Sequence, residues 1–127
     1  MKLLLDTHVL LWWATLHRSL SPRAKKAIAS SAVNVYVSAA SAWEIAIKVR
    51  IGKLDWPATA GTVDGYIRDQ GFQPLPISVA HAERAGQLAI DHRDPFDRML
   101  NAQAQAEDLW LASNEKLFDD AGVRRYW

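Results

Sequence analysis

Two hydrophobic periods alternate along this chain, and the architecture follows from where one gives way to the other. Lys2 to Leu5 is a short apolar run of the kind that makes a strand buried on both faces, and it stops at Asp6, Thr7 and His8. Val9, Leu10, Trp12 and Trp13 resume at helical spacing, so the strand turns directly into a helix with Asp6 at the junction. Ser21 as N-cap and Pro22 at the first helical position open a second helix to about Ser30. Val33 to Ser38 alternates and is rich in β-branched and aromatic residues, which predicts the second strand. A third helix follows from Ala39 to Arg50, with Ala42, Ile45, Ala46 and Val49 on its inward face and Gly52 ending it.

The second half repeats the pattern. Lys53 to Thr62 reads as a loop, Thr62 to Gln70 as a weaker helix, and Phe72 to Ile77, with Pro74 and Pro76, as at best a short edge strand. Ser78 caps a helix from Val79 to about Ile90, with Val79, Ala82, Ala85 and Leu88 inward. Asp94 and Pro95 start another to about Glu107, its core residues being Phe96, Met99, Leu100 and Ala106. Leu109 to Ala112 is a buried strand ending at Ser113, Asn114 and Glu115, and Gly122 to Trp127 a last edge strand. Strands alternating with helices predict a three-layer α/β/α fold around a central, mostly parallel sheet of four to five strands. In such a sheet the parallel strands end on one edge, where ligands bind. That edge collects Asp6, then Ser38 and the start of the third helix, then Ser113 to Glu115.

Composition narrows the chemistry. The 127 residues, half of them hydrophobic, are expected to form a single domain over 1–127. With no cysteine, any metal must be held by oxygen or histidine. A formal net charge of +1 argues against a strongly basic nucleic-acid coat, though not a local patch. Asp6 and His8 interrupt the apolar N-terminal stretch, which excludes a signal peptide, and no run approaches the roughly 18 residues of a membrane span. A cytoplasmic protein with no membrane partner is expected.

Each acid near the edge has an ordinary structural explanation. Asp6 can cap the first helix, Ser41 and Glu44 have capping-box spacing, Glu44 lies four residues before Lys48, and Asp94 and Asp97 repeat the box. Glu115 can be a solvated turn residue. Jointly they are harder to dismiss. Like charges within a few ångströms repel by about 1 to 4 kcal/mol per pair, and a divalent cation resolves that conflict. Hard oxygen donors favour Mg²⁺, with Mn²⁺ as a substitute. Lys48, Arg50, Lys53, Arg93, Arg98 and Lys116 lie near the same edge, where they read equally as phosphate contacts and as an ordinary solvated surface. His8 and His92 could ligate or transfer a proton, but neither is favoured, since each is as readily explained as a turn or capping residue.

At these residues the chain resembles a known family. LLLDTHVLLWW, VSAASAWEIAIKVRIGKL and HRDPFDRMLNAQA look like the corresponding blocks of PIN-domain ribonucleases, specifically VapC-type toxins of bacterial type II toxin–antitoxin modules. The family's first acid falls on Asp6, its helix acid on Glu44 and its third on Asp97, with Asp94 as the extra acid of the DPFD variant. The fourth position is Glu115, after Ser113, where aspartate is commoner. The resemblance implies an Mg²⁺-dependent endoribonuclease that hydrolyses RNA phosphodiesters with a metal-activated water. Asp6 and Asp97 would contact the metal, Glu44 would join them, and Asp94 or Glu115 would complete the shell or orient water. It also implies a homodimer and an antitoxin that covers the site in a hetero-oligomer. For that partner an apolar groove beside the first helix is expected, at Leu11, Trp12, Trp13 and Leu16. The alternative is a non-catalytic α/β module whose acidic pocket serves signalling, or one that only binds RNA.

Overall fold

Leu3, Leu4 and Leu5 have no exposed surface, which is what a strand at the centre of a sheet covered on both sides requires. They form β1 (Lys2–Leu5) in a computed structural model that describes all of residues 1–127. Their side chains alternate between two cores. Leu3 and Leu5 join Val35, Val37 and Ile45 on one side, while Leu4 joins Leu100, Leu111 and Phe118 on the other. The remaining strands are β2 (Asn34–Ser38), β3 (Gln73–Leu75), β4 (Trp110–Ala112) and β5 (Arg124–Tyr126). The helices are α1 (Thr7–Thr15), α2 (Pro22–Ala29), α3 (Ala39–Arg50), α4 (Val63–Asp69), α5 (Val79–Gln87) and α6 (Pro95–Ala106), with short 3₁₀ turns at Ala58–Ala60 and Lys116–Asp120.

The five strands lie in the order β3-β2-β1-β4-β5, and every pairing is parallel. The chain therefore builds outward from β1 through β2 to β3, then returns to place β4 on the other side of β1. Strand order reverses at β1 and β4, and a crevice opens there beyond their carboxyl ends. Leu5 is in register with Ala112, so Asp6 and Ser113, the next residue of each strand, emerge side by side.

Three helices turn a different face inward from the one their apolar spacing predicts. In α3 the buried residues are Ala40, Ser41, Glu44 and Ile45, whereas Ala46 and Val49 are exposed. In α5 only His81 and Ala85 are buried, Val79 is 87% exposed, and the helix stops at Gln87 rather than near Ile90. In α6 Leu100 is buried, but so are Asn101 and Gln103, and Ala106 is exposed. For α5 and α6 the cause is a buried hydrogen-bond network. Ser38 Oγ donates to Gln103 Oε1, and Gln103 Nε2 donates to the Pro76 carbonyl at 3.2 Å and lies 3.3 Å from His81 Nδ1. His81 Nδ1 also accepts from the Ser78 amide at 3.1 Å, which leaves the proton on Nε2, 2.8 Å from Glu107 Oε1. Replacing Gln103 by Leu keeps most of the volume but strands the Ser38 hydroxyl and the Pro76 carbonyl. A loss of about 2–3 kcal/mol in denaturant unfolding is expected.

Candidate metal centre

Asp6 occupies the N-cap position of α1, yet its carboxylate makes no capping hydrogen bond. It is 2% exposed and accepts instead from Ser113 Oγ at 2.7 Å, across the β1–β4 switch point. The same hydroxyl accepts from the Glu115 amide at 3.0 Å, so one serine after β4 orients two of the acids. Glu44 does not close a capping box either. The N-cap of α3 is Ser38, and Ser41 lies inside the helix, where its hydroxyl accepts from Thr7 Oγ1 at 3.0 Å. Glu44, one turn further along the same buried face, is 5% exposed and ion-paired with Lys48. Asp94 does cap: its Oδ1 accepts from the Phe96 and Asp97 amides at 2.8 and 3.3 Å, and its side chain stays exposed. That cap starts α6 so that Asp97, in the first turn, faces the crevice.

Four other acids act on Asp97 through their charge. Burial first, then the charges of Asp6, Asp94, Glu115 and Glu44, push its carboxyl up to about 8. Burial also raises Asp6 to about 6, against the lowering effect of the Ser113 hydrogen bond, and the Glu115 charge adds to the rise. Lys48 is raised by Glu44 and, more weakly, by Asp94 and Asp97, so its ammonium is the counter-charge within the cluster. One carboxylate oxygen each from Asp97 and Glu115, and a ring nitrogen of His92, lie within 4.8 Å of one another. Hard carboxylate oxygens around a partly open crevice, with no thiolate among them, are the donor set of a Mg²⁺- or Mn²⁺-type site.

Both raised carboxyls titrate above their unfolded values, so the metal-free fold is most stable while they are protonated and loses that contribution as pH rises through about 4 to 8. A divalent cation bound among these carboxylates would take over the protons' role. The rise in melting temperature on adding Mg²⁺ should therefore be larger at about pH 8 than at about pH 5. An equal rise at both would contradict this.

Arg98 is not available to substrate. Its guanidinium donates to the backbone carbonyls of Ala85, Gly86, Leu88, Ile90 and His92 at 2.7–3.4 Å, clamping the end of α5 and the following loop onto α6. Arg50, Lys53, Arg93 and Lys116 are exposed. Trp43, 62% exposed and next to Glu44, packs edge-on against Phe96 with ring centres 5.2 Å apart. Sequence reading placed Ser113 at this edge but not its bond to Asp6, since one serine at a strand end carries no spacing signal, and it did not favour His92, because a turn histidine normally points to water.

Comparison with known folds agrees with this architecture. A chain in the crystal structure of VapBC2 from Rickettsia felis, bound to a DNA fragment from their promoter, superposes with a TM-score of 0.70 at 14% identity, over 99% of this chain and 98% of that one. A chain of FitAcB from Neisseria gonorrhoeae gives 0.67 at 18%, over 98% and 96%. A chain of a toxin–antitoxin complex from Klebsiella pneumoniae gives 0.59 at 22%, over 94% and 92%. No curated protein matches in sequence. The family model of the PIN domain matches residues 3–123, from within β1 to the residue before β5, and the chain belongs to that family.

Proposed function

We propose that this chain is a divalent-metal-dependent endoribonuclease, and the toxin of a bacterial type II toxin–antitoxin pair. The observation that carries this reading is the switch point of a PIN-domain sheet where Asp6 and Ser113 emerge side by side and carboxylate oxygens of Asp97 and Glu115 lie within 4.8 Å of each other. PIN domains are generally nucleases.

Asp6, Asp97 and Glu44 would hold Mg²⁺, or Mn²⁺ in its place, with Glu115 within reach of the same position. A bound ion supplies positive charge that lowers the pKa of a bound water and offsets charge on a phosphodiester under attack. The chain's own groups prepare that chemistry. Ser113 fixes the Asp6 carboxylate by donating to it, and Lys48 holds Glu44 while leaving the rest of the cluster negative. Asp94 sets the start of α6 and thereby the direction of Asp97. Arg50, Lys53, Arg93 and Lys116 would meet RNA phosphates, and the exposed indole of Trp43, braced edge-on by Phe96, offers a ring on which an unpaired base can stack.

VapBC2, FitAcB and a toxin–antitoxin complex among the structural neighbours support an antitoxin partner and a hetero-oligomer for this chain too; a toxin homodimer within it rests on the family resemblance alone. The antitoxin's anchor is placed at the end of α1. Trp12 and Trp13 are half-buried there: Trp13 donates to Gln70 Oε1 at 2.9 Å, and Trp12 packs 5.9 Å from Trp127. Leu16, in contrast, is 83% exposed beside a cavity of about 300 Å³ that it lines with Trp13, His17 and Leu20. Leu16→Asp should weaken antitoxin binding about 30-fold or more, with the melting temperature nearly unchanged. Trp13→Ala should lower the melting temperature.

Expression in a bacterial host tests the whole reading. Induction of the wild type should arrest growth, co-expression of the antitoxin should restore it, and Asp6→Asn should be harmless at equal soluble abundance. Arrest by Asp6→Asn as strong as by the wild type would exclude this centre.

A further inference from the structure

His92 precedes the Asp94 cap by two residues, in the loop that leads into α6. It is 5% exposed, and its ring centre lies 4.7 Å from that of Phe118. Its Nε2 is the one buried side-chain nitrogen or oxygen without a hydrogen-bond partner in the protein. Leaving such a group unsatisfied costs about 1–3 kcal/mol, which a fold tolerates where something else supplies the partner. The neighbours of the ring indicate what. A ring nitrogen of His92 lies within 4.8 Å of a carboxylate oxygen of Asp97 and one of Glu115, and those two oxygens lie within the same distance of each other. Donors bound to one first-row ion at about 2.1 Å are roughly 3–4 Å apart, so small side-chain rotations bring all three onto a single ion.

The other inner acids already have protein partners, Asp6 in Ser113 and Glu44 in Lys48, whereas this imidazole has none. Its backbone is also fixed relative to Asp97. Arg98, the next residue along α6, donates to the His92 carbonyl at 3.0 Å and to the Ile90 carbonyl at 3.2 Å.

Resting on the metal-centre reading above, we propose that His92 is a nitrogen ligand of the ion of that centre, beside Asp97 and with Glu115 in reach, so that the centre is a mixed nitrogen–oxygen site rather than an all-carboxylate one. An imidazole donor shifts preference away from Mg²⁺, which favours oxygen, toward Mn²⁺ and the later first-row ions. His92 thus sets metal choice, while the carboxylates set charge.

Pulsed electron paramagnetic resonance of Mn²⁺ bound to the purified protein tests this without assaying cleavage. The wild type should show the modulation of a directly coordinated nitrogen, and its frequency should change when histidine alone is isotopically labelled, an arm that needs no substitution. The signal should vanish in His92→Gln and persist in His8→Gln. By calorimetry, His92→Gln should weaken Mn²⁺ binding about 10-fold or more and Mg²⁺ binding about 2-fold or less. Bound Mn²⁺ with no nitrogen modulation in the wild type, or a signal that survives His92→Gln, overturns the ligand role and leaves the carboxylate centre standing. A wild type that binds neither ion overturns both.

Discussion

Replacing Asp97 by asparagine is expected to stabilise the metal-free protein while abolishing its activity. The substitution preserves shape and the first turn of α6, and removes the charge that burial and four neighbouring carboxylates oppose. Relief of that repulsion should raise stability at about pH 8 by about 1–2 kcal/mol, read as a melting temperature higher by roughly 3–8 °C. The same change removes a carboxylate that would hold the metal. Cleavage should fall on the order of 10³-fold or more, about 4 kcal/mol of transition-state stabilisation, and the stabilisation by Mg²⁺ should largely disappear. The two effects have opposite signs because the cluster is strained in the empty fold and satisfied by an ion. A purely structural Asp97 would instead give a lower melting temperature and unchanged response to Mg²⁺.

The second large effect is expected at Arg98, for stability rather than chemistry. Five backbone carbonyls at the end of α5 and in the loop after it converge on one guanidinium. Helix ends leave carbonyls without intrahelical partners, and here a single side chain supplies the donors. Truncation to alanine removes all of them and should cost about 3–5 kcal/mol. Lysine should recover little of this, because its three donors sit on one nitrogen and cannot span the fork. Hydrogen exchange should show amides of residues 85–92 losing protection in Arg98→Lys before the sheet does. Uniform loss across the sheet and α5 alike would show that Arg98 supports the fold globally rather than this segment.

The strands and the edge acids were legible because their signals are local. β1 and β4 are short apolar runs, and each stops at residues that turn up in the crevice, Asp6 after one and Ser113 to Glu115 after the other. The capping role of Asp94 was also readable, since D-P at a helix start has few other uses. What could not be read is which face of α3, α5 and α6 turns inward. Apolar spacing assigns polar residues to water, but Ser41, Glu44, His81 and Gln103 are buried through partners 34 positions away for Ser41, and 65 for the Ser38–Gln103 bond. Arg98 shows the same limit: as a cation on a helix beside the crevice it reads as a phosphate contact, and only the fold brings the carbonyls of residues 85–92 around it. His92 is buried by that clamp, so its place among the acids depends on a contact invisible to any window of sequence.

Incubation of the purified protein with total RNA, with Mg²⁺ and with excess EDTA, followed by mapping of new 5′ ends, bears most directly on the acid cluster as a metal-dependent ribonuclease centre. The account predicts discrete ends that appear with Mg²⁺, disappear with EDTA and are absent for Asp97→Asn. Ends of equal abundance in EDTA, or from Asp97→Asn in Mg²⁺, would contradict it.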